Sequence, residues 1–159
     1  MATKYTTSFE NALISWEQIA DKFIASLKSN IKALSKINFD YEKVIVRVCA
    51  KELDGRKKRC GQGPLYSSQV SISKEDAETV WELFDEFVAK QGLSPAERLS
   101  NNEEGLRRYD FQSISIETGD RLICRLFLPS EWNGEGHINL RVFIGPRFRT
   151  IDLVGLGKL

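Results

Sequence analysis

Histidine is almost missing from this chain: His137 is the only one in 159 residues. A His-rich metal site within one chain is therefore excluded. Cysteine is scarce too. Cys49, Cys60 and Cys124 are odd in number and widely spaced, which gives neither a full disulfide framework nor a CxxC metal pair. No apolar run approaches the ~18 residues that suggest a membrane span. The opening Met-Ala-Thr-Lys-Tyr-Thr-Thr-Ser has no apolar core of a signal peptide. Cytoplasmic residence, without membrane, metal or cofactor, is the expectation. No repeat, low-complexity tract or Pro/Ser-rich linker divides the sequence, so a single domain over 1–159 is expected.

Charge of one sign is lacking overall, since the net is +1, but it is unevenly placed. Residues 41–72 carry seven Lys/Arg against three Asp/Glu, and residues 73–104 carry three against nine. Total charge gives no case for nucleic-acid binding. A local patch still acts within a Debye length of ~8–10 Å.

What the sequence does have is a long amphipathic stripe. Phe9, Leu13, Trp16, Ala20, Phe23, Leu27, Asn30 and Leu34 alternate at spacings of four and three, which puts them on one helix face. A helix over about 8–36 is predicted, capped by Ser8. Its face must be buried, on the chain's own sheet or on a second copy. A homo-oligomer with Phe9, Leu13, Trp16, Phe23 and Leu27 at the contact is the expectation. Residues 43–52 and 66–72 read as a hairpin, joined through Asp54-Gly55 and a basic, glycine-containing segment at 56–63 that is a loop or a frayed hairpin end. Ser73 opens a second helix, with Ala77, Val80, Trp81, Leu83, Phe84, Phe87 and Val88 on or beside its apolar face and Gly92 as its stop. Ser94-Pro95-Ala96-Glu97 suggests a short third helix, followed by a polar loop at 100–105. An antiparallel meander over 108–117, 121–128, 137–144 and 147–154 ends the chain, with Thr118-Gly119-Asp120 and Gly145-Pro146 as turns. The fold class is α+β, an antiparallel sheet (hairpin plus four-strand meander) packed against a long N-terminal helix and a second helix.

Arginines on strands are the strongest candidate constellation. Arg121 and Arg125 alternate with the apolar set Leu122, Cys124 and Leu126; Arg141 alternates with Leu140 and Val142; Arg147 and Arg149 flank Phe148. If these strands are neighbours in register, Arg121, Arg125, Arg141 and Arg147 or Arg149 share one surface with aromatic neighbours, where forked donors suit phosphates or carboxylates and rings can stack bases. The alternative is a solvated face whose guanidiniums pair with Glu117, Asp120 or Asp152. Arg56, Lys57, Lys58 and Arg59, followed by Gly61 and Gly63, form the second candidate, a positive finger for a phosphate backbone or simply a solvated hairpin tip. It matches neither Walker A nor GxGxxG.

Catalysis has little support. Asp110, Glu117 and Lys51 give no motif spacing for a metal-dependent nuclease. Cys60, beside Arg59, is predicted to be a reactive surface thiol, and Cys124 a buried one. Carboxylates at Glu75, Glu78 and Glu82 read as a solvent-facing helix side. Trp132, in a loop at 129–136, is either an interface anchor or a lid on the sheet edge. The reading is a non-enzymatic binding protein for nucleic acid or a phosphorylated small molecule, through Arg56–Arg59 and the strand arginines. A protein-interaction module using the long helix and Trp132 is the alternative, and a nuclease or phosphotransfer enzyme the third.

Overall fold

The computed structural model describes residues 7–99 and 103–156, so the opening residues 1–6 and half of the polar loop at 100–105 lie outside the described residues. Ser8 caps α1 (Phe9–Asn30): its Oγ accepts from the Asn11 N–H at 3.1 Å. The helix stops at Asn30, short of the predicted Lys36. Ile31 turns extended, its N–H still donating to the Leu27 carbonyl at 3.0 Å, and a single 3-10 turn over Lys32–Leu34 follows. Asn30 spends its side-chain amide on the Ser26 carbonyl at 2.8 Å, the local competition that makes Asn a poor helix former. Ile31 and Leu34 remain buried, so the apolar stripe outlasts the helix.

Among the described residues, seven strands form one antiparallel sheet: β1 (Asp40–Glu42), β2 (Ile45–Lys51), β3 (Lys57–Gln69), β4 (Glu97–Leu99), β5 (Arg108–Ile114), β6 (Arg121–Phe127) and β7 (His137–Phe148). Their order is β1-β3-β7-β6-β5-β4, and β2 also pairs with β3. The remaining helices are α2 (Lys74–Lys90), α3 (Glu103–Leu106) and α4 (Thr150–Leu156). The fold is α+β, as the alternation patterns required.

Three elements depart from the expected layout. The basic segment at 56–63 is not a loop but the first half of β3; the turn is confined to 52–56. Its glycines are there for contact. A Cβ on Gly61 would strike the Val44 side chain and crowd Phe9, and Gly63, at φ +102°, sits where the pairing with β7 shifts register. The segment predicted as a short helix after Ser94 supplies strand β4 instead. Finally, β7 runs unbroken to Phe148, and the expected last strand is α4. Gly145-Pro146 is a bulge, not a turn: between the pairs Gly61–Ile144 and Arg59–Arg147, β7 carries one residue more than β3. A Cβ on Gly145 would collide with the Thr118 carbonyl.

The helices cover one sheet face. Leu122, Cys124, Leu126, Ile138, Leu140, Val142 and Ile144 are buried beneath them. Phe23 of α1 meets Phe84 and Phe87 of α2, with ring centroids at 5.6 and 5.1 Å, and Phe84 and Trp81 reach Phe111 on β5. Ser73 caps α2 by accepting from the Asp76 N–H at 3.0 Å. Of the acidic residues along α2, Glu78 is not mere solvent decoration. It takes a bidentate grip from Arg98 on β4, which also holds Glu103 on α3.

The stripe of α1 is thus consumed inside the chain. Phe9, Trp16, Phe23 and Leu27 are buried and Leu13 packs against the same core. Within a single chain these five side chains are already packed on its own core, Leu13 only in part. Among the described residues, no helix is long and apolar enough to cross a membrane.

Candidate functional site

The opposite sheet face carries no helix among the described residues, and its side chains come from the alternate positions of β5, β6, β7 and β3. Register sets Arg121 beside Phe143, Ile123 beside Arg141 and Arg125 beside Asn139. Arg121, Arg125 and Arg141 therefore do share one surface. Their surroundings differ. Arg125 and Arg108 both hold the buried carboxylate of Asp110, at 3.1 and 3.0 Å. Arg121 and Arg141 instead lie over the same ring, Phe143, at 4.6 and 5.8 Å from its centroid. Among the described residues neither has a carboxylate within ion-pair distance.

Arg147 does not join them. The bulge at Gly145 flips the parity of β7, so Arg147 points to the helix side and Phe148 to the open side. Arg147 is 5% exposed and forms a two-pronged bridge to Asp120, with both bonds at 2.7 Å. The Gly145 N–H and the Trp16 indole N–H donate to the same carboxylate at 2.7 and 2.9 Å. Burial alone would raise the Asp120 pKa. Hydrogen bonds from Arg147, Gly145 and Trp16, with the guanidinium charge, outweigh it and hold the carboxyl below its ordinary value. Asp120 was a possible partner for the strand arginines; it is the internal partner of one.

The same flip creates a second nest. Phe148 faces outward with Arg56 over it at 5.0 Å and Lys58 at 5.2 Å. Sequence reasoning treated Phe148 only as a spacer between arginines, and nothing short of the bulge could have revealed its side. A third ring on this face, Phe127, stacks on His137 at 4.2 Å and carries Arg108 at 5.5 Å. Desolvation lowers the His137 pKa and so favours the neutral imidazole. Arg108 was not singled out from the sequence, although its place two residues before Asp110 was a usable signal.

Lys57 and Arg59 alternate to the other side of β3. With Arg56, Asp54, Asp152 and Arg149 they line a hollow of about 390 Å³. Arg149 is half-engaged by Asp152 at 3.2 Å, and Arg56 by Asp54. The four basic-segment residues thus serve two surfaces rather than one finger.

Cys60 is not a free thiol. It is bonded to Cys49 across the β2–β3 pair, at a Cα–Cα distance of 5.9 Å. Wide sequence spacing hid a pair that the hairpin brings together. Cys124 is the free cysteine among the described residues, and burial pushes its pKa well up. Without reductant, maleimide is expected to modify no cysteine in the native state and one per chain after unfolding, as counted by intact mass. Native labelling at Cys60 without reductant would contradict the bond.

Trp132 stands 82% exposed in a well-braced loop. The Asn133 side-chain amide donates to the Leu106 and Leu128 carbonyls at 3.0 and 2.9 Å, and the Arg107 Nε to the Pro129 carbonyl at 2.9 Å. Trp132 does not close the sheet edge. The nuclease arrangement is not assembled: Asp110 is buried on β5, whereas Lys51 lies on β2, with β6, β7 and β3 between them. No group of three or more His, Cys, Asp or Glu among the described residues has metal-binding geometry.

Architecture and site define an α+β protein with one helix-covered sheet face and one open, arginine- and phenylalanine-lined face. No protein-family model matches the sequence, and no curated protein matches it. Its fold is similar to that of a solved DUF4853 family protein from Actinomyces odontolyticus. The TM-score is 0.53 and the identity 15%, over 94% of this chain and 74% of the other. At that identity the likeness is one of fold alone.

Proposed function

We propose that this protein is a non-enzymatic binding module that holds an anionic ligand on the open sheet face. The carrying observation is that Arg121 and Arg141 both lie over Phe143 and that, among the described residues, neither has a carboxylate within ion-pair distance. Two like charges on adjacent strands repel, and an anion between them turns that repulsion into two forked, charge-assisted hydrogen bonds. Arg125 supports the site as the rim of the Asp110 pair. The Cys49–Cys60 bond favours an oxidising compartment over the cytoplasm. A phosphorylated or otherwise anionic small molecule and a nucleic acid are both ligand classes that this chemistry admits.

The test is fluorescence anisotropy at low and physiological salt, with a panel of labelled nucleotides, DNA and RNA. Replacing Arg121 and Arg141 together by Ala is expected to weaken binding by about 100-fold or more, since each charge-assisted bond contributes about 1.5–3 kcal/mol. The variant must keep the wild-type melting temperature. If the wild type binds none of the panel even at low salt, this reading fails.

A second reading has its own observation. Trp132 is displayed by a loop whose polar groups are already engaged, so little ordering entropy remains to be lost on docking. That supports a protein-interaction module using Trp132 without α1. Here a tight, salt-insensitive complex that is lost in Trp132→Ala is the expected behaviour.

A further inference from the structure

We propose that the ligand is a linear phosphodiester chain laid along β7, gripped at two separate nests. This rests on the anion-binding reading above and deepens it. The first nest is Phe143 with Arg121 and Arg141; the second is Phe148 with Arg56 and Lys58. Phe143 and Phe148 are five positions apart on one strand. In a regular strand an odd separation puts two residues on opposite faces. The bulge at Gly145 cancels that parity and brings both rings to the open side. Phe148 thereby faces the same side as the cations of the 52–56 turn, β3, β6 and β7.

Distance then selects the ligand. The two rings lie opposite Gln62 and Lys58, four residues apart on β3, so the nests are roughly 13 Å apart. One phosphate group cannot touch both nests. At the ~3.4 Å per phosphate of a stacked strand, the gap takes about four phosphates, and fewer when the chain is extended. The cations of the second nest have partners, Asp54 for Arg56 and Glu52 for Lys58 at 3.4 Å, but both are surface pairs that a multivalent anion can displace. The strand between the nests adds no acid: Gln62 lies opposite Phe143, and the disulfide fills the next outward position on β3. A phosphodiester chain occurs both in single-stranded nucleic acid and in polymers without bases. The half-buried rings offer stacking to the first alone.

The experiment measures affinity against chain length with oligothymidylates of about two, about five and about twelve phosphates, alongside abasic oligomers of the same lengths. Affinity is expected to rise by about 100-fold between the shortest and the middle length and to level off beyond it, because engaging the second nest becomes intramolecular. The slope of log K against log salt should steepen over the same step. Replacing Arg56 and Lys58 together by Ala should abolish the gain with length. Replacing Phe148 by Ala should reduce that gain for oligothymidylate and not for the abasic chain if bases stack. Equal gains for both polymers in the wild type assign recognition to the backbone, and a larger gain for oligothymidylate assigns part of it to the bases; either supports the two-nest site. Binding that is equal for all lengths overturns it while leaving the anion-binding reading intact. No binding at any length removes both.

Discussion

Replacing Asp120 by Ala is expected to cost about 3–5 kcal/mol of folding stability, because it leaves the Arg147 guanidinium buried without its counter-charge. Asp120 does more than neutralise. It also accepts from the Gly145 N–H inside the bulge and from the Trp16 indole on α1, so one carboxylate ties the β5–β6 turn, the bulge and the long helix together. Urea denaturation should show the loss as a lower midpoint with an unchanged slope. Acid provides a second readout with a definite sign. The Asp120 pKa is lower in the folded chain than when unfolded, so its contribution is complete at neutral pH and is lost as the pH falls below about 4. The gap between wild type and Asp120→Ala should therefore narrow in acid. Replacing Asp120 and Arg147 together by apolar residues of similar volume should recover much of the loss. A loss below ~1 kcal/mol in the single variant would show that water reaches Arg147.

This pair also marks where the sequence stopped being legible. Alternation of apolar and polar residues located β6 and the first part of β7, because each strand has one buried and one open face and a period of two leaves no choice. The same rule failed beyond Ile144. Gly145-Pro146 reads as a turn by composition, and a turn would leave Arg147 and Arg149 in step with a new strand. The bulge shifts that step by one residue, sending Arg147 inward and Phe148 outward. A bulge is decided by what lies across from it, here the Thr118 carbonyl close above Gly145, and local composition does not contain that information.

The candidate site was readable to a similar depth. Alternation puts Arg121, Arg125 and Arg141 on one surface only if their strands are neighbours in register, and β6 and β7 are. That Asp110 would engage Arg125 and leave Arg121 and Arg141 unneutralised depends on which strand lies next to which, a non-local fact. The glycines at 61 and 63 misled for a related reason. Their composition suggests a flexible loop, but one admits the close approach of Phe9 and Val44 and the other supplies a positive φ within β3. In the helical half, the spacing of Phe9 to Leu34 fixed the buried face of α1 but not what covers it, since a sheet and a second subunit ask for the same stripe.

Replacing Phe23 by Ala separates those two covers. Phe23 has no exposed surface within a single chain and packs between Phe84 and Phe87. If the chain's own core is the cover, the substitution should cost about 3–5 kcal/mol, from lost transfer energy and the cavity left behind. That cost should be the same at every protein concentration, because no association equilibrium is linked to it. Ile14, on the outer side of the same helix and more than half exposed, should lose less than ~0.5 kcal/mol on change to Ala. The ring pair supplies a further check. Phe23→Ala and Phe84→Ala share a contact at 5.6 Å in an edge-to-face arrangement, so their costs should not add, and the coupling should be about 0.5–1.5 kcal/mol. A Phe23→Ala cost that rises with protein concentration would instead place a second copy against α1 and reverse the assignment of its stripe to the internal core.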